Sequence, residues 1–201
     1  MNPAIALTLS RIIIAPFFAM VFIRSFTAAS PFAWLWTAVG LAILIELSDA
    51  FDGRIARARN QVTDFGKLFD PAADSLSRQT IFLSFMVCKL HIIPLWMFLV
   101  FFYRDAFLSV LRTWCAYHGI VLAARRAGKL KAVVQAIGAF CVLFVCLAQA
   151  YHVPWAPVMI HGRHPGFWIM LVPAVVTVLS VYDYVVSNWQ TVKSMMAPQK
   201  P

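Results

Sequence analysis

A chain of 201 residues that is 62% hydrophobic and only 12% charged, with mean hydropathy +0.78, carries more apolar surface than a water-soluble core of its size can bury; ordinary soluble domains are roughly 45–50% apolar and about 25% charged. Lipid is the solvent this composition calls for, and a single membrane-embedded domain over residues 1–201 is the count it supports. The net charge of +9 does not mark a nucleic-acid partner, because the 17 basic residues punctuate apolar runs and form no stripe on a polar domain.

Six apolar runs are long enough to cross the hydrocarbon of a bilayer: residues 5–24, 32–57, 67–88, 92–116, 131–151 and 167–187. No strand-like alternation persists, so the predicted fold is all-α, an integral membrane bundle of six transmembrane helices. The first run lacks a small-residue cleavage signature and reads as a retained span. Cys88, Cys115, Cys141 and Cys146 stand apart in apolar surroundings and read as small buried hydrophobes, forming neither a disulfide framework nor a zinc site.

Placing the N-terminus in the cytoplasm puts fourteen Lys and Arg residues on that side and leaves Arg24, Lys89 and Arg163 outside. The positive-inside rule then predicts a multi-pass protein of the inner or plasma membrane with both termini cytoplasmic and a short cytoplasmic tail over 188–201. The longest external connection, His152–Gly166, contains helix-breaking Pro154, Pro157 and Pro165, with Trp155 and Trp168 suited to the interface. Its His152, His161 and His164 have no helical i, i+4 pairing and no acidic partner, so they read as exposed loop residues and not as a metal site. On the cytoplasmic side the one long loop is Tyr117–Leu130, whose Gly119 and Gly128 bracket Arg125 and Arg126.

The chain has eight acidic residues, and six of them (Glu46, Asp49, Asp52, Asp64, Asp70, Asp74) fall within 29 positions. A carboxylate at membrane depth is costly unless paired or metal-bound, so such a cluster points to function. Asp49 and Asp52 are three residues apart and Asp70 and Asp74 four apart, which puts each pair on one helix face. Between them lies a short polar connection with Gly53, Arg57, Asn60 and Gly66. A hairpin turning there would converge four carboxylates into a site for hard divalent cations, with arginine at hand for phosphate. Two bridged ions suit phosphoryl chemistry, and one rim carboxylate would take the proton of an attacking hydroxyl. Gly53 and Gly66 would let a nucleotide approach the backbone closely. Two other readings stand beside this one. The first is a structural ion-pair network with Arg54, Arg57 and Arg78, although four aspartates exceed what those arginines need. The second is a divalent-cation transporter, which would want its acidic groups spread through the membrane depth and has no use for the Gly53, Arg57 and Gly66 framework.

The pattern Asp49-x2-Asp52-Gly53-x2-Ala56-Arg57-x8-Gly66-x3-Asp70-x3-Asp74 resembles, at every fixed position, the signature of the CDP-alcohol phosphotransferase family. The resemblance implies a six-helix membrane enzyme, commonly a homodimer, with its site at the cytoplasmic end of the bundle. Such an enzyme cleaves the pyrophosphate of CDP-diacylglycerol, transfers the phosphatidyl group to an alcohol and releases CMP. It further implies that Asp49, Asp52, Asp70 and Asp74 bind two Mg2+ or Mn2+ ions and that Asp74 is the general base. Gly53, Ala56, Arg57 and Gly66 would form the CDP pocket, with Arg57 on the diphosphate. Many relatives carry lysine directly after the last aspartate, where this chain has Ser75; the sequence leaves open whether Arg78, one turn on, replaces that charge.

The acceptor alcohol is read from the remaining cations. Arg104, Arg112, Lys129 and Lys131, with Arg125 and Arg126, gather at one end of spans four and five, a patch that suits a phosphorylated acceptor better than serine or choline. Topology alone would also account for some of these cations. The series Arg104-Asp105, Leu111-Arg112, Gly128-Lys129-Leu130-Lys131-Ala132 and Gln135, with Leu7-Thr8-x2-Arg11-x4-Pro16 at the start, is similar to one branch of the family. The acceptor of that branch is sn-glycerol 3-phosphate and its product phosphatidylglycerophosphate. Asp105 stands where the branch has glutamate, Ala132 where it has threonine, and Ile5 where it has asparagine. Inositol phosphate is the nearest alternative acceptor, followed by inositol and serine.

Overall fold

Sustained apolar length dictates helix, because a backbone in hydrocarbon has no water to bond and must satisfy its own polar groups. The computed structural model describes residues 3–58, 64–117, 126–156, 159–189 and 193. Six helices follow in order: α1 (Pro3–Ser25), α2 (Pro31–Ala58), α3 (Asp64–Val87), α4 (Leu95–Tyr117), α5 (Arg126–Ala150) and α6 (Pro165–Ser187). Among the described residues the only β feature is one isolated bridge between Ile160 and Arg163. The protein is all-α, as its composition predicts.

Four helices, α1, α2, α5 and α6, are long and apolar enough to cross a membrane by length and hydropathy. The other two fall short because of charge. Helix α3 carries Asp64, Lys67, Asp70, Asp74 and Arg78, and α4 carries Arg104, Asp105 and Arg112. Charged groups of this kind are tolerated at membrane depth when they face the bundle and pair with one another.

The predicted cytoplasmic loop is shorter than expected. Helix α5 begins at Arg126, so Gly128 and Lys129 stand in its first turns, while 118–125 lie outside the described residues. The connection between the aspartate pairs shortens too. Gly53 and Arg57 belong to α2 and Gly66 to α3, with Asn60 outside the described residues. Helix formation continues past the apolar run in each case because a helix satisfies its backbone whether its side chains are wet or dry.

Helix α1 packs along both α2 and α3, and α5 along α6. The core between α1, α3 and α4 is aromatic: the Phe22 and Phe85 rings meet edge-on with centroids 5.1 Å apart, and those of Phe82 and Phe101 lie 4.6 Å apart. Between α5 and α6 the contact depends on a missing side chain. A Cβ at Gly138 would lie 2.8 Å from Pro173 Cγ and 3.2 Å from Met170 Sδ, so only glycine permits this approach. Outward-facing Ile13, Phe17, Val172, Val175 and Val178 are all more than half exposed; in water such a surface would aggregate, and in a bilayer it meets hydrocarbon.

At the end of the bundle with the long external connection, one expectation is overturned. His164 is not an exposed loop residue but 2% exposed, and it caps α6. Its Nδ1 accepts from the Gly166 amide at 3.0 Å, and its Nε2–H donates to Gln149 Oε1 at 3.0 Å. Burial pushes its pKa down to about 4. Cys141 is likewise exposed rather than buried, unlike Cys88, Cys115 and Cys146; all four are free thiols.

Gly138→Ala should lower stability by about 1–3 kcal/mol through overpacking against Pro173. Gly40→Ala, where a Cβ meets nothing within 4 Å, should be neutral or slightly stabilising; thermal unfolding in detergent measures both. His164 carries a second expectation, since its folded pKa lies below the ordinary 6.5. The unfolded chain binds a proton there that the folded chain refuses, so this contribution to stability is present above about pH 6.5 and lost as pH falls toward about 4. In His164→Asn that part of the pH dependence should vanish from melting temperatures taken across the same window.

Candidate active site

The cytoplasm-predicted ends of α3, α4 and α5 enclose a cavity of about 290 Å³. Its wall includes Asp74 and Ser75 from α3, Arg104, Asp105 and Arg112 from α4, and Lys129 and Lys131 from α5. The four cations chosen from sequence as an acceptor patch thus share one cavity with Asp74, although up to 57 positions separate them along the chain.

Asp70 and Asp74 lie one turn apart on α3, as their spacing requires. The Thr8 hydroxyl of α1 donates to Asp70 Oδ1 at 2.8 Å, and Arg78 Nη2 donates to Asp74 Oδ1 at 2.6 Å. Arg78 also donates from Nη1 to the Ala132 carbonyl at 3.1 Å and stands 3.8 Å from Glu46. One guanidinium therefore joins α3 to α2 and α5 while holding the Asp74 carboxylate. The ion-pair alternative is to this extent present at Asp74. Asp49, Asp52, Gly53, Ala56 and Arg57 lie on α2 and Gly66 on α3, with side chains outside those described. Among the described residues no three His, Cys, Asp or Glu side chains cluster to hold a metal.

The cations divide into two kinds. Arg112 and Lys129 are exposed at the cavity mouth. Lys131 is buried and Arg104 part-buried, and both are already bonded: Lys131 Nζ donates to Asp105 Oδ1 at 2.7 Å and Arg104 Nη1 to the same oxygen at 2.9 Å. Sequence reasoning missed Asp105 as the hub of this arrangement. Ser75 Oγ and Gln79 Nε2 both donate to its other oxygen, each at 3.2 Å. The available signal was a lone acidic residue in the middle of an apolar helix, which requires several partners. Thr8 was noted only as part of a pattern, and its partner Asp70 is 62 positions away.

Replacing Arg78 by alanine leaves Asp74, Glu46 and the Ala132 carbonyl without their shared donor. The expected loss is about 2–3 kcal/mol, below that of a fully buried pair because both carboxylates are about a third exposed. Arg112→Ala, at the exposed mouth, should change stability by no more than about 0.5 kcal/mol. Thermal unfolding in detergent distinguishes the two.

These features define a multi-pass helical membrane protein with a polar, cation-rich cavity at one end of its bundle. Residues 1–179 match the CDP-alcohol phosphatidyltransferase family, and the chain belongs to it. It is a transferase of phospholipid biosynthesis. Several bacterial proteins named CDP-diacylglycerol–glycerol-3-phosphate 3-phosphatidyltransferase are similar to it. That of Bacillus subtilis is 29% identical over 94% of this chain and 95% of its own length. The Wigglesworthia glossinidia protein is 34% identical over 72% and 78%, and the Escherichia coli K12 protein 31% over 89% and 90%.

Proposed function

We propose that this enzyme transfers the phosphatidyl group of CDP-diacylglycerol to sn-glycerol 3-phosphate, giving phosphatidylglycerophosphate and CMP. The observation that carries the reading is the shared cavity: Asp74 and four cations line one polar space of about 290 Å³. A volume at the low end of small-molecule sites suits a compact anionic acceptor. The names of the similar bacterial proteins support the same acceptor.

Arg104, Arg112, Lys129 and Lys131 receive the acceptor phosphate through charge-assisted hydrogen bonds. The acceptor hydroxyl then attacks the phosphatidyl phosphorus while Asp74 takes its proton, the bond from phosphorus to the CMP oxygen breaks, and CMP leaves. Arg78 occupies Oδ1 of Asp74, which leaves the second oxygen for that proton. Arg57 holds the donor's diphosphate, and Gly53, Ala56 and Gly66 complete the CDP pocket.

Divalent-metal dependence is general in the family. The described donors fit a hard cation: Asp70 and Asp74 offer carboxylates on one helix face, and each has one oxygen without a hydrogen bond to a described residue. Asp49, Asp52, Asp70 and Asp74 are the residues that would hold two Mg2+ or Mn2+ ions. When bound, such ions neutralise the diphosphate and stabilise the departing phosphate. Six spans in a single domain, both termini and the cavity on the cytoplasmic face of the cell membrane, a tail over 188–201 and assembly as a homodimer complete the reading.

The test is an acceptor panel. Purified protein with CDP-diacylglycerol and Mg2+ should release CMP with glycerol 3-phosphate and not with inositol 1-phosphate, inositol, serine or choline. CMP release with another acceptor alone would overturn the assignment, and metal flux without CMP release would favour a transporter. Asp74→Asn should reduce turnover by at least about a thousandfold with the protein still folded in the membrane. Lys131→Ala should raise the KM for glycerol 3-phosphate well above any change in the KM for CDP-diacylglycerol.

A further inference from the structure

We propose that Asp105 is a positioning residue for the acceptor: one buried carboxylate that fixes Arg104 and Lys131 on the cavity wall, with Ser75 fastening it to the helix that carries Asp74. The proposal rests on the phosphorylated-acceptor reading above and deepens it.

Asp105 is 7% exposed in the middle of an apolar helix, where an unpaired carboxylate would be strongly destabilising. It is instead fully engaged, Oδ1 by Lys131 and Arg104 and Oδ2 by Ser75 and Gln79. These donors come from α3, α4 and α5, so a single side chain ties together the three helices that enclose the cavity.

The charges at this wall do not cancel. One carboxylate faces two cations, and Arg112 and Lys129 add positive charge at the mouth, so the cavity remains suited to an anion after Asp105 is satisfied. The geometry also leaves donors over. Arg104 is held on two edges, by Asp105 at Nη1 and by Ser180 Oγ at Nε, 3.2 Å away. Its Nη2 makes no hydrogen bond to a described residue and lies beside Gly128, where an added Cβ would come within 3.9 Å. Lys131 has three N–H donors, and Asp105 occupies one of them. A flexible lysine stem and an arginine fork are thus oriented before the acceptor arrives, and this removes an ordering cost from binding.

Ser75 gains a role from this arrangement. Its hydroxyl donates to the carboxylate that anchors Arg104 of α4 and Lys131 of α5. The residue next to Asp74 thereby links the reacting end of α3 to the acceptor wall.

The experiment uses the full chain in detergent or nanodiscs, with CMP release measured while each substrate is varied in turn. Asp105→Asn should raise the KM for glycerol 3-phosphate at least about tenfold and leave that for CDP-diacylglycerol within about twofold. Asp105→Glu, which restores the charge, should stay within about threefold of the parent, and Ser75→Ala should raise the acceptor KM about threefold. Equal rises in both KM values, or an unchanged acceptor KM in folded Asp105→Asn, would overturn the proposal. If Asp105→Asn does not fold, Ser75→Ala decides, and an unchanged acceptor KM there is the overturning result. If the parent protein uses inositol 1-phosphate and not glycerol 3-phosphate, the acceptor assignment falls, and Asp105 is judged by the same split measured with inositol 1-phosphate.

Discussion

A buried carboxylate in a membrane helix has few ways to exist, and the cytoplasm-predicted end of this protein is arranged around that constraint. Asp105, only 7% exposed, must collect donors from its neighbours because little solvent reaches it. The donors it collects, Lys131, Arg104, Ser75 and Gln79, bring three helices to a common point. Arg78 plays the complementary part, a buried cation that gathers Asp74, Glu46 and a backbone carbonyl. The cavity is lined by Asp105 and its partners Ser75, Arg104 and Lys131, and by Asp74, the carboxylate that Arg78 holds.

The other end and the flanks obey different physics. Helices α5 and α6 approach closely only because Gly138 has no side chain to meet Pro173, a solution available to membrane helices that gain little from apolar burial against each other. Aromatic rings fill the space between α1, α3 and α4. This packed apolar core supports the helices that carry the polar end, and phosphoryl-transfer chemistry depends on positioning more than on any covalent role of the protein.

Much of this was legible in the chain. Helix count and limits followed from apolar length, a local property, and the observed helices α1, α2, α3, α4 and α6 begin and end within a few residues of the predicted runs. Where the reading erred, the cause was an apolar criterion applied to helices that outlast their apolar run. Helix α5 starts at Arg126, five residues before the predicted run, because helix formation does not require apolar side chains. His164 was misjudged for a related reason: residue type suggested solvent, whereas its place before Pro165 and Gly166 makes it a helix cap.

By itself the sequence determined the solvent, the helical class, the family signature and the two acidic pairs at helical spacing, because each of these is written in composition or short-range periodicity. Tertiary structure alone decided which charges meet. Asp105 lies 26 positions from Lys131 and from Gln79, and 30 from Ser75; Thr8 lies 62 from Asp70. No spacing rule reaches across such distances, since a side chain's partner in lipid is chosen by which helices pack together and at what depth their polar groups come level.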